Sequence, residues 1–131
     1  MVSETTARRF IICGSAAAVI DGCGGAYIGF SASSPLNLAV AALFFGLGYG
    51  IYIGSRTCAV IALAFFAFQR ISMYDVAVAL EQAHGGGVLM GFWISAALFT
   101  VLYALGVAGT FAWHARIAAA PAQGANPPAR E

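Results

Sequence analysis

One acid stands inside an apolar run. Asp21 follows Ala16-Ala17-Ala18-Val19-Ile20 and precedes Gly22-Cys23-Gly24-Gly25. An ionisable group in such a setting is costly in hydrocarbon and is a functional candidate by default. Two readings stay open for it: a hydrogen-bonded residue that holds helices together, and the ion- or proton-carrying group of a small transporter or channel. Helical rise puts Asp21 about 16 Å along a helix that starts at Phe10. The same distance counted back from Trp113 on an antiparallel last helix brings Thr100 and Tyr103 to its level, and no arginine is expected near it. A second group, Tyr49, Tyr52, Arg56 and His114, gathers near the inner interface of the expected bundle. There it serves as an aromatic belt with a snorkelling arginine, or as a mouth for an anionic ligand.

Other reactive residue types are too scattered to act together. Cys13, Cys23 and Cys58 make no Cys-x-x-Cys pair, so neither a thiol relay nor a zinc site is expected, and all three read as small buried packing residues. His84 and His114 are expected at opposite sides of the bilayer, which leaves no metal or cofactor site between them. No nucleophile, base and orienting group share one level, so the chain reads as a non-enzyme.

The elements that must position these groups follow from composition. Of 131 residues, 61% are hydrophobic and 8% charged, with a mean hydropathy of +0.86, whereas an ordinary soluble domain has about 25% charged residues. The expected class is an all-α integral membrane protein, one domain over residues 1–120, with helices near 10–30, 36–53, 57–74 and 88–113. The centre of the pattern is a hairpin. Leu36 to Ile53 carries no charge and spans about 27 Å as a helix, close to the ~30 Å hydrocarbon core. The turn Gly54-Ser55-Arg56-Thr57 returns the chain at once. Ser34-Pro35 reads as an N-cap followed by a first-turn proline. Ser72-x-x-Asp75 reads as a capping box that opens a short interfacial amphipathic helix, closed by Gly85-Gly86-Gly87. The run 10–30 behind Arg8-Arg9 is longer than the core of a secretory leader and is expected to stay as a helix. Residues 121–131 read as a disordered tail.

Placing the N-terminus in the cytoplasm puts Arg8, Arg9, Arg56, Arg116 and Arg130 inside and leaves Arg70 alone outside with Asp75 and Glu81. That bias predicts an antiparallel four-helix bundle with both termini cytoplasmic. Small residues recur at helical spacing: Gly14, Ala18, Gly22 and Ala26 beside Ala17, Asp21, Gly25 and Gly29; Gly46, Gly50 and Gly54; Gly87 and Gly91; Ala104 and Ala108. They are expected to pack within the bundle, with self-association or another membrane protein as the alternative use.

Gly48-Tyr49-Gly50-Ile51-Tyr52 leading into Ser55-Arg56, together with Gly109-Thr110-Phe111-Ala112-Trp113-His114, resembles the pattern of a group of small uncharacterised four-helix bacterial inner-membrane proteins. Members commonly carry a basic residue where this chain has Ala108. The resemblance implies a multi-pass protein of the bacterial inner (cytoplasmic) membrane and brings no activity with it.

The function expected from these features is a non-enzymatic accessory or interaction protein of the membrane. The alternative is a small transporter or channel using Asp21. Small multidrug exporters offer an architectural analogy only, with a similar length, four helices and an acid in the first. Beyond Asp21 the spans hold few polar groups, which favours the accessory reading. The lipid bilayer is the expected surrounding, no cofactor is implied, and a net charge of +1 gives no reason for nucleic acid.

Overall fold

The computed structural model describes residues 3–119, apart from the side chain of His84. Among these residues there is no strand, and five helices succeed one another: α1 (Glu4–Ser31), α2 (Pro35–Tyr52), α3 (Arg56–Ser72), α4 (Tyr74–His84) and α5 (Val88–Ala119). Serines open three of them. The hydroxyls of Ser3, Ser34 and Ser55 accept from the backbone N–H groups of Thr6 (3.2 Å), Asn37 (3.5 Å) and Cys58 (3.3 Å), satisfying donors that a helix start leaves free. Between α2 and α3, Gly54 takes φ +87°, a left-handed conformation that glycine adopts without Cβ strain. This lets the Ser55 N–H donate to Gly50 O at 2.9 Å and closes the hairpin.

Several boundaries differ from expectation. α1 starts at Glu4 rather than Phe10, because Ser3 caps it and Glu4 suits the positive end of the helix. α5 runs to Ala119 rather than ending at Trp113, since nothing between Gly109 and Pro121 breaks a helix. The expected capping box at Ser72 does not form. Ser72 ends α3 and its hydroxyl donates back to Phe68 O at 3.0 Å, so α4 starts after Met73 without a side-chain cap. Beyond Gly85 (φ +79°) the chain is clasped by Glu81, whose carboxylate oxygens accept from the N–H groups of Gly87 (3.1 Å) and Leu89 (2.9 Å). The expected tail 121–131 and Arg130 lie outside the described residues.

α1, α2, α3 and α5 form a ring in which each packs on two neighbours: α1 on α2 and α5, and α3 on α2 and α5. Neighbours are antiparallel, as the facing pairs Phe10/Gly109, Gly14/Gly106 and Asp21/Tyr103 show for α1 and α5. Glycines set the spacing. A Cβ on Gly14 would stand 2.6 Å from the Gly106 Cα, so the two backbones touch; Gly22 lies under the Phe45 ring and Gly29 under Leu38. The core between the helices holds Phe44, Leu47, Ile51, Ala59, Ala62, Phe66 and Tyr103.

The α5 ridge expected from Gly87, Gly91, Ala104 and Ala108 faces outward: a Cβ on either glycine would meet nothing within 4 Å, and both alanines are exposed. Residues two apart point about 200° from each other on a helix, so burying Gly106 turns Ala104 and Ala108 away. Four stretches, Glu4–Ser31, Pro35–Tyr52, Arg56–Ala83 and Val88–Ala119, are long and apolar enough to cross a membrane. Their outer faces carry large apolar side chains such as Phe30, Leu36, Ile71 and Met90.

This packing separates two glycines that look alike in the sequence. Gly106→Ala forces a methyl into the Gly14 backbone and is expected to lower stability by about 1 to 3 kcal/mol. Gly46→Ala meets open space and is expected to be neutral or to gain about 0.5 to 1 kcal/mol from helix propensity. Unfolding of the two variants in mixed micelles checks the signs, and equal losses would show that α1 and α5 are not in backbone contact.

Candidate functional site

Asp21 and Tyr103 meet. The Tyr103 hydroxyl donates to Asp21 Oδ2 at 2.9 Å, joining α1 to α5 across the bundle. Asp21 is half-buried while Tyr103 is 1% exposed. Tyr103 stands one turn before Gly106, on the face that the close α1–α5 contact buries, so the glycine pair brings the phenol to the carboxyl. The tyrosine ring then lies 5.2 Å from the Phe66 ring of α3, which also stacks on Phe99 at 5.9 Å.

Above Phe66 sits Arg70, its guanidinium carbon 4.9 Å from the Phe66 ring centre and 5.6 Å from that of Phe92. Its Nη1–H donates to Ser95 Oγ at 3.3 Å, and that hydroxyl donates to Phe92 O. Side chains on a helix lean toward its N-terminus, which carries Arg70 back over the residue four positions earlier. Arg70, expected at the outer boundary, is thus drawn over Phe66, whose ring also meets that of Tyr103. The result is a carboxyl, a phenol, an aromatic ring and a guanidinium in succession, drawn from α1, α5 and α3. Such a set can bind helices to one another, and it can respond to a charge placed near either end.

Thr100 is not part of it. The Thr100 side chain is exposed and its hydroxyl donates to Ala96 O of its own helix at 2.7 Å. At three residues from Tyr103 it had the right level, but helix rotation turns it outward, a coordinate that counting rise ignores.

The second expected cluster divides. Tyr52 lines a cleft of about 280 Å³ with Arg8, Ile11, Ile53, Gly54 and Trp113, and Arg8 lies over the Trp113 ring at 5.5 Å. Arg56 instead covers Phe111 at 5.3 Å. Tyr49 is exposed on the outer surface. His114 turns to its own helix, where Nδ1–H donates to Thr110 O at 3.0 Å; a carbonyl can only accept, so Nδ1 carries the hydrogen. The four residues share one end of the bundle without sharing a site.

Phe66 is not singled out by the sequence, which offers Ser95 only as one of the few polar groups of the spans and Arg70 only as a boundary charge. The usable signal was the spacing Phe66/Arg70 and Phe92/Ser95, which puts an aromatic one turn from each polar group. Cys13 and Cys58 are half-buried, with Cys58 filling the space beside Gly50, but Cys23 is exposed, contrary to expectation, because it lies on the outward face of α1. Among the described residues no three of His, Cys, Asp or Glu come together. Ser15, a further polar residue of α1, donates to Gly48 O at 2.9 Å and ties α1 to α2.

A double-mutant cycle tests the central bond. With Asp21→Leu and Tyr103→Phe measured singly and together, the expected coupling is about 0.5 to 1.5 kcal/mol in mixed-micelle unfolding. Asp21→Asn keeps an acceptor for the phenol and is expected to retain most of it; zero coupling would mean the bond does not form. No protein-family model matches the chain, and no curated protein or solved structure matches it either.

Proposed function

We propose that this chain is a non-enzymatic accessory or interaction protein of the bacterial inner membrane, multi-pass, with both termini in the cytoplasm. The observation that carries the reading is the Asp21–Tyr103 hydrogen bond, sealed on one side by Phe66. The one acid within an apolar helix is committed to holding α1 against α5. Ser15, spent on Gly48 O, supports the same view. Two further arguments concern location. The outer faces of the bundle are apolar, as a lipid-facing surface must be. The resemblance through Gly48–Tyr52 and Gly109–His114 points to inner-membrane proteins.

Orientation rests on the arginines. Arg8 and Arg56 lie beside Trp113 and Phe111, in the part of α5 that carries Arg116, whereas Arg70 lies beside Phe92 at the opposite end with Asp75 and Glu81 nearby in sequence. The arginine-rich end belongs in the cytoplasm by the positive-inside rule. In this orientation α4 lies at the outer interface, its break from α3 at Met73 marking where the chain leaves the hydrocarbon. A green fluorescent reporter fused after Ala119 is expected to be bright and alkaline phosphatase at the same point inactive. The reverse pattern would overturn the topology.

One observation favours a second reading, a small transporter or channel. Asp21 is only half-buried, an exposure that a proton-coupled carrier could use. Proteoliposomes decide between the two. With the accessory role, the native chain and Asp21→Asn relax an imposed pH gradient at the same slow rate. Faster relaxation by the native chain, abolished in Asp21→Asn with the fold intact, would establish the transporter.

A further inference from the structure

Arg70 lines a second cleft, of about 440 Å³, walled by Ile71, Tyr74, Phe92, Trp93 and Ala96 between the α3–α4 junction and the start of α5. We propose that this cleft seats an anionic phospholipid, its phosphate on the Arg70 guanidinium and its chains along the apolar walls. A guanidinium has five N–H donors in a planar fork that matches phosphate oxygens. Among the described residues Ser95 is its single hydrogen-bond partner, at 3.3 Å, while Phe66 and Phe92 hold its faces. The rings hold the half-buried guanidinium in place and leave donors of its fork unused.

The walls select the rest of the ligand. Tyr74 packs on Phe92 (6.4 Å) and Trp93 (6.0 Å), and the latter two meet edge to face at 5.7 Å. Ile71 and Trp93 are largely exposed, so the cleft opens onto the apolar outer surface of the bundle. A soluble anion would satisfy Arg70 and leave these walls without a partner, and a neutral lipid would do the opposite. A phosphate bearing acyl chains satisfies both, at the level where Tyr and Trp side chains meet headgroups. The cleft at the other end is different in kind: its cation, Arg8, is exposed near the start of α1, where water can serve the charge.

The chain has two tryptophans, so Trp113→Phe leaves Trp93 as a reporter inside the cleft. The full chain is reconstituted with phosphatidylglycerol or phosphatidylcholine carrying brominated chains, and quenching of Trp93 gives the relative affinity of the two lipids. The expected preference is about fivefold for the anionic lipid, falling to parity in Arg70→Gln. Arg70→Met, which packs between the same rings, replaces Arg70→Gln if circular dichroism shows lost helix. Equal quenching by both lipids before any change at Arg70 overturns the proposal, as does a preference that survives both substitutions. Displacement of the brominated anionic lipid by millimolar inorganic phosphate would assign the cleft to a soluble anion and overturn the lipid. Quenching by phosphatidylcholine alone reports that Trp93 lies in the bilayer, so failure of the lipid assignment is distinguishable from failure of membrane residence.

Discussion

The contact on which the rest depends is that of two backbones, Gly14 on α1 and Gly106 on α5. Helices with apolar exteriors gain little from burying more apolar surface against one another when the surroundings are equally apolar. They gain from close packing and from polar groups brought within hydrogen-bond range. Both gains need a short interaxial distance, which a side chain at either position would prevent. Gly109, pressed against Phe10 and the Ala7 carbonyl, extends the same contact toward the arginine-rich end.

From that contact the interior follows in order. α1 and α5 are close at Gly14, and two turns further along α1 the gap admits one phenol between Asp21 and Phe66. Phe66 then works on two sides: its ring supports Tyr103 and Phe99, and it carries the guanidinium of Arg70. The carboxyl and the guanidinium thus stand on opposite sides of aromatic rings, each with its own hydrogen-bond partner. Among the described residues no buried side-chain nitrogen or oxygen is left without a partner, the condition that a low-dielectric interior imposes.

The two ends of the bundle differ in a way that bears on the proposed role. At one end Arg8 and Arg56 lie on the rings of Trp113 and Phe111 near the α5 terminus. At the other a single arginine is drawn inward, and α4 with its Glu81 clasp covers the approach to α5. In the proposed orientation, and among the described residues, the cytoplasmic end presents several cations and the outer end one arginine in an aromatic cleft. An accessory protein whose polar interior is spent on its own helices acts through its surfaces, and these two ends are where its surface chemistry is concentrated.

Sequence alone determined the number and type of the long helices, their approximate limits, and the pairing of levels that placed Tyr103 beside Asp21, because hydropathy, serine caps, turn glycines and helical rise are local or one-dimensional quantities. It also marked α1 as the small-residue helix. The azimuth of each helix about its own axis was decided only by tertiary packing. Thr100 and Tyr103 share a level yet point apart, Gly106 displaced Ala104 and Ala108 from the interface, and Arg70 turned inward over Phe66 instead of outward to the boundary. α1 and α5 are nearly uniformly apolar around their circumference, so no polar face announced which side would be buried. The choice fell to the one register in which Gly14 and Gly106 could touch, and that is a property of two helices together.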